Sequence, residues 1–488
     1  MDGRSANAWA AWRWLLIAGF ALIAAVNLPG HLPLDSATGL WEGRHHERMS
    51  WGPRMYSAIL GFFDHLVPGW GLYTVASLMI TALAWAALPH IRRRVSWAGP
   101  CALAAAFALP QVLILQGVVW RDVLFADLTV AAFAALALAS RLWAAPARTF
   151  GGSEEPPNVH KSLKSDHSLR RTGVHFGGEW SMRWPLLAAA VAALAVGALV
   201  RQNGGVVIVP WALALGWIAG QGRWDRGLGW AAAGLAAPLA FALLLAFLNP
   251  IHETPGKPRA TGMVLLAHYD VAAAIVEDPK RPLPQLEADR PLSLVVLRRE
   301  LPGVWSPMRI DTLDWTPSVR RALWRIKGAS WEAQWRAMIL QDPLGYLRRR
   351  LEVFRWVFLT PKLELCGPLQ LGVEGLPQVL GDLGLTRGPT IQDAALYAYA
   401  RPWFATPFYS HLTYALAAAA VAVFLLLRRE AGDIAMAALM VAALGFAATF
   451  LIASIACDYR YLYALDLAAI TGVLYVAVDP SRRASLDD

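Results

Sequence analysis

The chain runs to 488 residues, 57% hydrophobic and only 16% charged, whereas a soluble domain carries about 25% charged residues. That excludes an ordinary soluble enzyme, and the formal charge of +9 fits loop Lys and Arg beside anionic lipid, with no nucleic-acid partner. The three cysteines, Cys101, Cys366 and Cys457, lack paired-ligand spacing and so exclude a zinc ribbon or a disulfide scaffold.

A spanning helix needs about 20 mostly apolar residues. Segments 14–29, 70–88, 98–117, 122–141, 184–200, 204–220, 228–247, 409–427, 433–452 and 459–477 come near that length. They predict an all-α polytopic membrane protein with about ten transmembrane helices. A long polar interruption divides it into an N-terminal membrane module (1–248), a mainly helical periplasmic domain (249–408) between the seventh and eighth spans, and a C-terminal membrane module (409–488). The first apolar stretch has the basic flank of a signal peptide but no small-residue cleavage site before PGHLPLD, so it reads as a retained helix.

Orientation follows from basic residues in short loops, which resist translocation. Arg4, Arg13, Arg92, Arg93, Arg94, Arg223, Arg226, Arg428, Arg429, Arg482 and Arg483 share one face if both termini are cytoplasmic. The polar stretch 142–183, with Arg148, Lys161, Lys164, Arg170 and Arg171, lands there too. Its apolar content is too low for it to fold alone, so it reads as a cytoplasmic linker.

The outer face begins with the loop 30–69, which carries Asp35, Glu42, Arg44, His45, His46, Glu47 and Arg48. Its second half spaces Met55, Ile59, Phe62, Phe63 and Leu66 along one helix face, which predicts a helix lying in the interface. Asp35 stands between a proline and that helix, where nothing structural asks for a carboxylate. His45 and His46 could ligate a metal but read as solvated loop residues. No metal site is assigned, no cofactor is implied with certainty, and a divalent metal is left open.

The link GVVWRDVLFADL places Arg121 and Asp122 at the outer lip, with Trp120 as an interfacial anchor and Asp127 a turn deeper. LVRQNGG brings Arg201 to the same lip, and CDYRYLY brings Asp458 and Arg460. Arginines at helix ends also snorkel to the interface. Asp127 and Asp466 lie within spans, where ionisable groups line cavities or pair; Asp127 would partner a lip arginine or act on substrate.

The inserted domain is rich in Trp and Arg. SVRRALWRIKGASWEAQWRAMILQDPLGYLRRRLEVFRWVFL predicts two amphipathic helices joined near Asp342 and Pro343, with apolar faces along the membrane. HYDVAAAIV would be a short helix or strand presenting His268 and Asp270 to an acceptor. His411, entering the eighth span, would reach a lipid phosphate. Cys366 and Cys457 share this side, where one bridge is open to them; two free thiols is the preferred reading.

Carboxylates among arginines at a lipid–water boundary suit transfer from a phosphate-linked lipid. Arginines would neutralise the phosphate, and a carboxylate would accept the proton of an attacking hydroxyl. The arrangement resembles the GT-C superfamily of polytopic glycosyltransferases, which use polyprenyl-phosphate or polyprenyl-diphosphate sugars. The resemblance covers most of the chain as topology and a few stretches as motif: the first outer loop LPLDSATGLWEGRHHERMSWGPRMYSAIL, the link VVWRDVLFADL, and the large outer domain. WRDVLFADL followed by LVRQNGG is similar to uncharacterised bacterial members.

The resemblance implies that Asp35 takes the place of the first-loop catalytic base and Asp122 that of the second acidic site. Many members pair two carboxylates in the first loop, whereas Ser36 follows Asp35 here, which favours a lone base. The expected partners are a polyprenyl-phosphate sugar, a glycan, glycolipid or protein acceptor, and the bilayer. Arg121, Arg201 and Arg460 would bind the phosphate, with Glu42, His45, His268, Asp270 and His411 as further substrate contacts. The implied setting is a bacterial inner membrane with the active site facing the periplasm. The rival readings are a polymerase or ligase of lipid-linked glycans and, from another class, a transporter or flippase, which would show broken helices and internal repeats.

Overall fold

The computed structural model describes residues 3–50, 52–92, 95–143, 177–252 and 262–481, with the backbone alone at 177–181. The expectations for Arg93, Arg94, Arg482, Arg483 and most of the 142–183 linker, with Arg148, Lys161, Lys164, Arg170 and Arg171, lie outside the described residues. Among those described there is no β-strand, only isolated bridges. The fold is that of an all-α polytopic membrane protein.

The N-terminal part contains α1 (Gly3–Asn27), α2 (Leu34–His45), α3 (Arg54–Leu66), α4 (Gly71–Ile91), α5 (Ala98–Ala108), α6 (Pro110–Leu113), α7 (Arg121–Arg141), α8 (Gly177–Val200), α9 (Ile208–Ala219) and α10 (Trp224–Phe247). The insertion holds α11 (Gly262–Glu277), α12 (Pro284–Asp289), α13 (Pro291–Glu300), α14 (Asp311–Trp315), α15 (Pro317–Arg325), α16 (Gly328–Gln341), α17 (Pro343–Leu359), α18 (Pro377–Leu383) and α19 (Ile391–Ala400). The chain returns through α20 (His411–Arg428), α21 (Ala431–Ala453) and α22 (Tyr463–Val478).

Among the described residues eight helices are long and apolar enough to cross a membrane. They are Ala- and Leu-rich on every face, as hydrocarbon requires of a helix that satisfies its own backbone. Over its apolar stretch α7 is 83% buried and α10 only 17%, so α7 lies at the centre and α10 at the lipid-facing rim. The sixth expected span is a shorter apolar helix, Gly204–Ala219.

The third expected span is not continuous. Ala98–Ala108 and Pro110–Gly117 meet at a 71° bend, because Pro110 lacks a backbone N–H and its ring clashes with the preceding turn. Side chains answer the carbonyls this frees. Asn27 donates to the Leu113 carbonyl (2.8 Å), Tyr463 to that of Gln111 (2.9 Å), and the Gln111 amide to Phe408 (2.6 Å). Gln116 donates to Asp127 (2.9 Å), which also accepts from Ser77 (2.5 Å) and Thr81 (2.7 Å). Asp127 thus serves the bundle interior, contrary to the expectation of a lip arginine or a substrate.

Two observations define the ends of the bundle. At one, Arg92 reaches Glu430 (2.6 Å), Asp433 (3.3 Å) and Asp479 (2.7 Å), and Arg428 grips Asp433 (2.6 Å). This ties the C-terminal end of α4 to the loops flanking α21 and α22. At the other end sits the insertion, which has two parts. Residues from α11 to α16 share their own apolar core, including Val271, Leu297, Leu323 and Trp331. From α17 onward the chain packs on the bundle's core through Val357, Cys366, Leu380 and Leu383. The stretch expected to form two amphipathic helices forms three, α15 to α17, with Asp342 capping α17 by accepting from the Gly345 N–H (2.9 Å).

One arginine joins both parts to the bundle. Arg350, 1% exposed, donates to Asp270 of α11 (2.8 Å) and to the carbonyls of Leu451 (2.9 Å) and Ser454 (2.7 Å) at the end of α21. Removing one member of a buried ion pair leaves the other charge uncompensated. Arg350→Leu is expected to cost about 3–5 kcal/mol, read as a lower thermal midpoint of the detergent-solubilised protein. An unchanged midpoint would show that the clamp carries no weight.

Candidate active site

Residues 31–33 run between two other segments before α2 begins. His31 N–H donates to the Gly117 carbonyl (3.0 Å), and Val119 N–H donates to that of His31 (2.9 Å). On the other side Leu32 N–H donates to Gly372 (2.9 Å), and Glu374 N–H donates to Leu32 (2.8 Å). This short ladder sets Asp35 in the first turn of α2, where the helix dipole favours a carboxylate. Helix α3 then folds back on α2 with Gly43 against Gly61, backbone to backbone, where a Cβ on either residue would collide.

Four segments deliver charge to one place. Arg460, in the turn before α22, hydrogen-bonds Asp35 (2.9 Å), pairs with Asp458 across 2.7 Å and lies 3.9 Å from Asp122. Arg201, just past α8, pairs with Asp122 at 2.7 Å. The Arg460 guanidinium lies over Trp120 (5.0 Å) and that of Arg201 over Tyr461 (5.1 Å) and Phe450 (5.2 Å), so aromatic faces support both cations. Asp35, Arg121 and Arg460 line a cleft of about 180 Å³ with Tyr56, Trp120 and Leu376.

The two outlying carboxyls are tuned in opposite directions. The Asp35 side chain is 42% exposed but surrounded by protein, and burial alone would raise its pKa. Arg460, Arg121 and Arg201 outweigh that and hold it below the usual carboxylate range. For Asp458 burial wins: its pKa is pushed up to about 6, with Arg460 opposing and Asp122 and Asp35 adding to the rise. Asp311, at the start of α14, is likewise raised by burial and by the charge of Asp35.

The expected site residues therefore divide. Asp35, Asp122, Arg121, Arg201 and Arg460 come together. Glu42 does not join them: fully buried, it accepts from Met49 N–H (2.7 Å), Ser50 N–H (2.5 Å) and the Ser57 hydroxyl (2.7 Å), closing the loop after α2. His45 packs on Trp41 (4.4 Å) at the surface, outside the cleft lining. His268 is a core residue between Trp331 (4.7 Å) and Trp324 (5.4 Å). Asp270 is the buried acceptor for Arg350, Trp335 (2.9 Å) and Tyr346 (3.1 Å). His411, expected at a lipid phosphate, is fully buried, paired with Asp466 (2.8 Å) and stacked on Tyr459 (4.3 Å).

The two thiols expected to be free form a disulfide, Cys366–Cys457. It anchors the residue next to Asp458, and Cys457 N–H also donates to the Met308 carbonyl (2.8 Å). Asp458 lies two residues from Arg460 in CDYRYLY. That adjacency is the one signal by which the sequence could have assigned it a role.

Among the described residues no three His, Cys, Asp or Glu side chains converge as a metal would require. Ser36 stands where a second first-loop carboxylate would be, and its buried hydroxyl and that of Tyr56 both donate to the Val119 carbonyl. The first loop therefore does not fit a two-carboxylate metal site.

No protein-family model matches the chain, and no curated protein matches it. Two solved structures are similar in their course. One is the archaeal oligosaccharyltransferase AglB from Archaeoglobus fulgidus, in complex with an inhibitory peptide and a dolichol-phosphate: 12% identity over 96% of this chain and 50% of that one, TM-score 0.40. The other is ArnT from Cupriavidus metallidurans in the apo state: 13% identity over 96% of this chain and 77% of that one, TM-score 0.31. The chain spans half the length of the first. At such identities neither likeness decides a residue's role.

His268 yields a test of its core placement. Burial lowers its pKa from 6.5 to about 4, so the unfolded chain binds a proton more readily between those values. Stability contributed by the neutral ring is intact above pH 6.5 and lost as pH falls towards 4. The loss should approach about 3 kcal/mol below pH 4 and about 2 kcal/mol between pH 7 and pH 5, a difference that His268→Leu should flatten in tryptophan-fluorescence melts at those two values. Equal acid sensitivity in both proteins would place the ring in solvent.

Proposed function

We propose that the chain is a membrane glycosyltransferase. It moves one sugar from a polyprenyl-phosphate donor to an acceptor hydroxyl on a glycan, glycolipid or protein, with inversion. The observation that carries the reading is a carboxylate open to a cleft, Asp35, hydrogen-bonded at 2.9 Å to an arginine, Arg460, beside a second pair, Arg201–Asp122.

In this reading the donor phosphate lies against Arg460, Arg201 and Arg121, and the acceptor enters beside Asp35. The acceptor oxygen forms a bond to the anomeric carbon while the bond from that carbon to the phosphate oxygen breaks. The departing polyprenyl phosphate keeps the electron pair, and its charge is met by preplaced guanidinium groups. The hydroxyl proton passes to Asp35. Because Arg460 holds Asp35 at a low pKa, a phosphate that draws Arg460 away makes Asp35 a stronger base when the donor is present.

The site faces outward in this reading. Arg92 and Arg428 mark the opposite end of the bundle, and basic loops stay cytoplasmic. The Cys366–Cys457 bond sits at the site's end, and disulfides persist in oxidising compartments such as a periplasm.

Asp35→Asn is expected to lower transfer by about 10²–10⁴-fold with normal expression and membrane insertion. The assay is radiolabelled sugar moved from defined undecaprenyl-phosphate sugars onto candidate glycolipids by purified protein. A fully active variant would remove Asp35 from the chemistry.

A further inference from the structure

Arg460 is the cation most committed to carboxylates in the cleft. Asp122 is taken up by Arg201 at 2.7 Å, and Asp35 opens to the cleft. Among the described residues Asp458 has no second use beyond the Arg460 backbone N–H in its own turn. Its carboxylate lies 2.7 Å from the Arg460 Nε and projects from a backbone held by other means. The Cys366–Cys457 bond and the Cys457 N–H donated to Met308 fix that backbone without help from the ion pair. A clasp at this position would duplicate a covalent one.

Charge balance gives Asp458 a function. Arg121, Arg201 and Arg460 meet Asp35, Asp122 and Asp458, and Asp311 beside them is met by Arg309, four positive groups against four negative. A phosphodiester adds one negative charge, and a buried excess charge is costly unless a group leaves or becomes neutral. Of the carboxyls in contact with Arg460, Asp458 is the one that burial has already pushed towards neutrality, its pKa about 6, whereas Asp35 is held ionised.

We propose that Asp458 stands in for the donor's phosphate, holding Arg460 while the site is empty and yielding it to a singly charged phosphodiester. It is a specificity residue: one group can yield, so one negative charge is admitted and a diphosphate, with two, is disfavoured. The inference rests on the polyprenyl-phosphate reading above. It differs from a structural clasp in sign, because losing a clasp weakens binding and losing a competitor tightens it.

The test measures binding, not turnover, to full-length protein in nanodiscs. The probes are the methyl phosphodiester of undecaprenol and its methyl diphosphate analogue, neither of which carries a sugar to transfer. Asp458→Asn and Asp458→Ala are expected to bind the phosphodiester about tenfold more tightly than wild type, and the diphosphate by a larger factor, so that the preference shrinks. Asp458→Glu, which keeps the charge, should bind as wild type does. If wild type binds but the Asn and Ala variants bind no more tightly, the stand-in role is overturned while the donor reading survives. If no protein binds either lipid, the donor reading itself falls.

Discussion

Arg460 among three aspartates is the interaction on which the cleft end of this molecule depends. A guanidinium largely withdrawn from water needs carboxylates at contact distance, and they come from α2, from α7 and from the residue two positions before it. Meeting that requirement brings the first loop, the centre of the bundle and the entry to the last helix to one point. Trp120 and Tyr461 complete the enclosure with aromatic faces that tolerate a cation.

The break at Pro110 is the second constraint, and it works on the same residues. A straight helix over 98–117 would satisfy the carbonyls of Gln111 and Leu113 within itself, with no need of Tyr463 and Asn27. Once broken, it needs them, and the extended stretch that follows supplies the Val119 carbonyl and the edge against which His31 lies. The ladder that orients Asp35 therefore follows from a proline about 75 residues away in sequence, by the geometry of bent helices in a medium without water.

Much of the fold was legible because hydrocarbon leaves few choices: a long apolar run is a helix, and ten runs were visible. The bend was not, since hydropathy is blind to direction, although Pro110 itself was in view. The sixth apolar run, expected over 204–220, is the shorter helix Gly204–Ala219. At the site, Asp35, Asp122, Arg201 and Arg460 stood out because loops and links on one side of the spans bring carboxylates and arginines together. Glu42, His268, Asp270 and His411 carried the same residue-type signal but spend it on neighbours in the interior. The bond between Cys366 and Cys457 depends on a contact across 91 residues that no local pattern encodes.

The disulfide and the cluster share a consequence for biogenesis. Asp35 lies in the first loop, whereas its arginine follows 425 residues later, in the turn that leads into α22. A nascent chain arrested earlier holds Asp122 and Arg201 without the partner that completes the cleft. The cleft is thus complete only once the turn into α22 is in place, and Cys457 can meet Cys366 only at that same stage.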